Sequence, residues 1–120
     1  MNDIDVYIAR FRPDIQARLL FIRQTALRIL GAVDERLCHS LPAFARNGHV
    51  FMFYGAYKAH VSICVGYDWV DFLKVQYPQY TYTKATIIFS NDDPFPEDMV
   101  QVICALLKQG PDENTTQPGG

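Results

Sequence analysis

At 120 residues, with 49% hydrophobic and 20% charged side chains, the chain has the make-up of one globular domain. A chain of this size buries roughly two-thirds of its unfolded surface, so it needs no disulfide or metal staple. Thirteen acidic against eleven basic side chains give a net charge of −2, which argues against an electrostatic nucleic-acid binder, and no apolar run approaches the roughly 20 residues that cross a bilayer.

The first residues, MNDIDVYIARF, are acidic and lack a signal-peptide h-region, so a cytoplasmic protein is expected. Asp3 is placed to cap a short helix with Ile4, Tyr7, Ile8 and Phe11 at helical spacing, ending before Pro13. Pro13 suits the first position of a long second helix. Its stripe runs through Ile15, Leu19, Ile22, Ala26 and Ile29, and Gly31 is its stop. Residues 34–40 read as a short strand, and Leu41-Pro42-Ala43-Phe44 as an edge, bend or bulge.

Asn47-Gly48 is the strongest turn signal, because both residues accept the positive φ of a tight hairpin. It leads into His49–Gly66, the organising stretch. Residues 50–57, VFMFYGAY, are apolar on both faces, which predicts a central strand with a covering layer on each side or a partner subunit on one. Residues 60–65, HVSICV, alternate: Val61, Ile63 and Val65 on one face, His60, Ser62 and Cys64 on the other. After Gly66, Asp68 is expected to cap a helix holding Trp69, Val70, Phe72 and Leu73, closed by Pro78 at the latest. Residues 79–84 read as a loop or frayed strand, 85–90 as a strand, 91–94 as a turn. A last helix begins at Pro96 with Glu97 and Asp98 in its first turn, where the helix dipole favours acids. The expected fold is α+β: an antiparallel sheet of about five strands packed by N-terminal, middle and C-terminal helices, over residues 1–109. Residues 110–120, GPDENTTQPGG, read as a disordered polar tail.

Cys38, Cys64 and Cys104 are odd in number and without CxxC spacing, so buried free thiols are expected. No GxSxG, P-loop, GxGxxG or HExxH motif is present, which points away from an enzyme. A ligand-binding reading rests on Lys58, His60 and Lys84. If strand 60–65 neighbours strand 85–90, His60 and Lys84 are expected near one sheet end. Two ammoniums and an imidazole would then take a small anion, with Tyr54, Tyr57, Tyr80 or Tyr82 donating hydroxyls. His39, His49 and His60 match no metal-ligand spacing. Asp92, Asp93, Glu97 and Asp98 are the one dense acidic group and the only metal candidates, although a turn and a helix start account for them.

IDVYIA near the start, LPAF, NG, FYGAYKAHV, Gly66, TKATIIF and DPFPEDMVQVI resemble the YdhG-like family over about residues 4–108. The most specific parts are Pro42-Ala43-Phe44, Lys58-x-His60 and Thr83-Lys84-x-Thr86-Ile87. The resemblance implies one α+β domain with an antiparallel sheet. One branch is described as frataxin-like, binding iron and passing it to cluster or haem assembly, so iron enters by resemblance alone and no other cofactor is expected. The sequence departs from that pattern at Ser62, Ala85 and Ile88. Its first thirty residues carry Asp3, Asp5 and Asp14 against Arg10, Arg12, Arg18, Arg23 and Arg28, whereas iron favours clustered carboxylates. The expectation is a non-enzymatic binding protein. The alternatives are a frataxin-like iron chaperone, by resemblance, and a homodimeric interaction module built on the strand that is apolar on both faces.

Overall fold

The computed structural model describes residues 2–109. The proposed tail, 110–120, lies outside the described residues.

Helix α1 (Asp3–Ala9) begins one residue earlier than a cap at Asp3 would allow. Asn2 is the cap: its side chain accepts the Asp5 N–H, while the Asp5 carboxylate accepts the Asn2 N–H. Helix α2 (Pro13–Leu30) starts on its proline. It stops at Gly31, whose φ of 75° lets the N–H turn back to Leu27. Strands β1 (Asp34–Cys38) and β2 (Leu41–Arg46) form a hairpin closed by His39 and Ser40, both at positive φ, 54° and 66°. The next hairpin, β2 to β3 (His49–Ala56), turns on Asn47 and Gly48 as predicted, with a register shift between Phe44 and Ala45. Strand β4 is His60–Cys64. Helix α3 (Tyr67–Gln76) is capped by Gly66 and not by Asp68, which falls in its first turn. The frayed stretch contributes a two-residue strand, β5 (Thr81–Tyr82), ahead of β6 (Thr86–Ser90) and α4 (Glu97–Gln109).

The sheet therefore has six strands, in the order β1-β2-β3-β4-β6-β5, every neighbouring pair antiparallel. Strand alternation divides its side chains. Phe44, Met52, Tyr54, Val61, Ile63, Ile87 and Phe89 join Ile4, Leu19, Ile22, Val70, Leu73, Ile103 and Leu107 of the helices in one core. The opposite side chains, among them Phe53, Ser62, Cys64, Thr86 and Ile88, face away from that helical layer. The strand that reads as apolar on both sides thus has a helical layer on one side only.

Candidate functional site

The uncovered face is built from rows of paired residues. Ala43, Phe53, Cys64 and Thr86 form one row, and Gly55, Ser62, Ile88 and Thr81 the next. His60 and Ser90 pair beyond them. The small residues lie in the middle. A Cβ on Gly55 would fall 2.7 Å from Leu41 Cδ2 and 2.9 Å from Tyr7 Oη, so any larger residue there makes those side chains shift. Tyr7 uses that approach to accept the Ala56 N–H at 3.1 Å.

On the same face lies a hollow of about 280 Å³, bordered by His39, Leu41, Phe53, Tyr57, Ser62 and Cys64. The His39 and Phe53 ring centroids are 6.3 Å apart. Tyr57, 45% exposed, stacks on His60 at 5.0 Å and 29°. A second hollow of about 260 Å³ also borders His60, with Gln79, Tyr80, Thr81, Ser90 and Asp93 around it. A third, about 290 Å³, opens beside Phe51, Tyr67 and Trp69 and shares Phe53 and Cys64 with the first.

The expected convergence of Lys58, His60 and Lys84 does not occur. Strands β4 and β6 are neighbours, but they run antiparallel: His60 opposes Ser90, while Cys64 opposes Thr86. Lys84, two residues before Thr86, therefore lies past the far end of β4, with about 13 Å of strand between that end and His60. Lys58 is exposed in the β3–β4 turn, which closes through the Tyr57 N–H to the His60 carbonyl at 2.8 Å.

The four tyrosines divide. Tyr57 borders the first hollow and stacks on His60, and Tyr80 borders the second hollow together with His60. Tyr54 touches the floor of the first hollow, but its ring stacks on Phe44 in the core, 1% exposed, and burial drives its phenol pKa upward. Tyr82 donates to the carbonyls of Tyr77 and Leu73 at 2.8 and 3.1 Å, holding the end of α3, and burial likewise raises its pKa. Both are structural.

The acidic group is split as well. Glu97 and Asp98 border a surface hollow with Tyr77 and Phe95, whereas Asp93 borders the second hollow together with His60. Among the described residues no three His, Cys, Asp or Glu side chains gather as a metal would require, so Asp92, Asp93, Glu97 and Asp98 do not form the expected cation site. Cys104 is buried as expected, its thiol pushed up to about 12 by desolvation. Cys38 and Cys64 are half-buried instead.

Leu41, Phe53, Gly55 and Ser62 were not among the candidate site residues read from the sequence; Asp93 was, but as a metal ligand. Only Gly55, a glycine inside an otherwise apolar strand, carried a sequence signal of close approach.

The arrangement, a six-stranded antiparallel sheet with four helices and an uncovered face, is a YdhG-like fold. No family model and no curated protein matches the chain. Its structure is similar to the crystal structure of YdhG, a DUF1801-family protein from Bacillus subtilis, with a TM-score of 0.76 over 86% of each chain at 13% identity.

Proposed function

We propose that this chain is a binding protein whose ligand lies on the uncovered face of the sheet. One observation carries the reading: a hollow of about 280 Å³ on this face, bordered by Leu41, Phe53, Tyr57, Ser62 and His39. That volume is just below the roughly 300–1,000 Å³ of drug-sized sites, which suits a single ring. The Ser62 hydroxyl, the Tyr57 phenol and the His39 imidazole are the polar groups at its edge. The adjoining hollow beyond Phe53 continues the apolar track toward Trp69. The ligand class is a flat aromatic ring with an apolar extension and one or two polar substituents.

The experiment is an amide NMR titration with indole and phenol. Shifts at Gly55, Ser62 and Cys64 that vanish in Ser62→Trp are expected, since the new ring fills the hollow. Silence at those amides with millimolar probe, or shifts unchanged in Ser62→Trp, would overturn the reading.

A second reading is favoured by the bulk on the same face. Phe51, Phe53 and Ile88 are only half-buried, and Tyr57 is well exposed. Such an apolar surface also suits a second copy of the chain. Sedimentation separates the two: a monomer at tens of micromolar favours the small ligand.

A further inference from the structure

The hollow on the other side of the Tyr57–His60 stack has a different chemistry, and it lies outside the site proposed above. Its border consists of Ala59, Ile88 and six groups that can bond: His60, Gln79, Tyr80, Thr81, Ser90 and Asp93. Among the described residues that border it there is one carboxylate, Asp93, and neither lysine nor arginine. Arg18 of α2 donates to the Ser90 and Asp93 carbonyls at 3.2 and 2.7 Å and lies over the Phe95 ring, 5.3 Å from its centroid, so its charge is held against the backbone of the loop. Lys58, in the turn before β4, is exposed and does not border the hollow.

We infer that this hollow is a binding site for a primary ammonium group on a short alkyl chain. An ammonium has three donors and no acceptor. The hollow offers it the Asp93 carboxylate together with acceptor oxygens on Ser90, Tyr80, Thr81 and Gln79. The Ser90 hydroxyl already accepts the Asp92 N–H at 3.2 Å, and its remaining lone pair is free for a second donor. Tyr80, set edge-on to Phe89 at 5.5 Å, and the His60 ring add π-faces, which attract a cation. Ile88 supplies an apolar contact for the alkyl chain. An anion in the same place would meet the Asp93 carboxylate with no bordering cation to offset it.

The test is an amide and side-chain NMR titration with butylamine, with N-acetyl-lysine methylamide and, as the opposite charge, with inorganic phosphate. Butylamine is expected to shift His60, Tyr80 and Ser90. Asp93→Asn is expected to weaken it about tenfold, the loss of one charge-assisted hydrogen bond, while Asp92→Asn leaves it within twofold. Equal shifts from the lysine derivative point to a peptide side chain as the source of the amine, and silence from it points to a free small amine. Shifts at His60 from phosphate but not from butylamine would overturn the inference, as would silence from both amines or an affinity indifferent to Asp93→Asn. Ser62→Trp fills only the neighbouring hollow, so amine binding survives that substitution even if ring binding there fails.

Discussion

At the scale of single residues, Gly55 carries more than its size suggests. Any Cβ there must displace the Leu41 side chain and the Tyr7 hydroxyl. The second displacement also strips the buried Ala56 N–H of its partner. Overpacking and a lost buried hydrogen bond add, and Gly55→Ala is expected to destabilise the fold by about 2–4 kcal/mol. Tyr7→Phe removes only the bond and is expected to cost about 1 kcal/mol. Urea unfolding midpoints of the two variants, and of Gly55→Ala/Leu41→Ala, check this: relieving Leu41 should recover part of the loss. A Gly55→Ala protein as stable as the parent would show that the close approach is absent. His39 and Ser40 make the complementary case. Both sit in the left-handed region without being glycine or asparagine, and His39→Asn/Ser40→Gly is expected to raise stability by about 0.5–1 kcal/mol. It should weaken ring binding in the first hollow, because it removes one wall.

At the scale of elements, α1 is the piece whose attachment can be read bond by bond. Arg23 of α2, its side chain 13% exposed, reaches Asp5 of α1 and Glu35 of β1, both at 2.7 Å. The Arg23 hydrogen bond, followed by the Asn2 backbone bond, holds the Asp5 carboxyl below its ordinary 3.8. A depressed folded value means the contribution is complete above about pH 4 and fades as pH falls through the folded pKa. Asp5→Asn is therefore expected to lower stability at neutral pH and to flatten its decline between pH 4 and 2. Chemical denaturation across that range checks it, and an identical acid profile in the variant would remove the clasp from the account. Most elements were legible because their signals are local: Pro13 and Gly31 bound α2, Asn47-Gly48 turns β2 into β3, and the alternation of residues 60–65 sorts β4. The His39–Ser40 turn was not legible, since neither residue favours positive φ. β5 read only as a loop or frayed strand, because two residues leave no period to detect.

At the scale of the whole molecule, strand direction decides where Lys84 falls. The antiparallel sheet expected from the sequence already sets the start of strand 85–90 beside the end of strand 60–65, so a pocket joining Lys84 to His60 was at odds with the expected fold. The antiparallel register puts Lys84 at the far end from His60 and dissolves the expected anion pocket, while bringing His60 to Ser90 and Asp93 instead. Sidedness was partly readable: the apolar pattern of 50–57 predicts cover on both faces, and helices cover one. That asymmetry makes the two faces energetically distinguishable. Ile63 is fully buried under the helices, so Ile63→Ala is expected to cost about 2–4 kcal/mol at any protein concentration. Phe53, half-buried on the other face, loses less on truncation when that face meets water or a small ligand; about 1 kcal/mol is expected, because only part of its surface is removed from solvent. If a second copy covers the face instead, Phe53→Ala becomes as costly as Ile63→Ala, and the parent's unfolding midpoint rises with protein concentration, since association stabilises by mass action. Denaturation of the parent and both variants at 2 and 200 micromolar protein, concentrations on the order of those that separate weak from tight dimers, reads out which of the two the uncovered face has been shaped for.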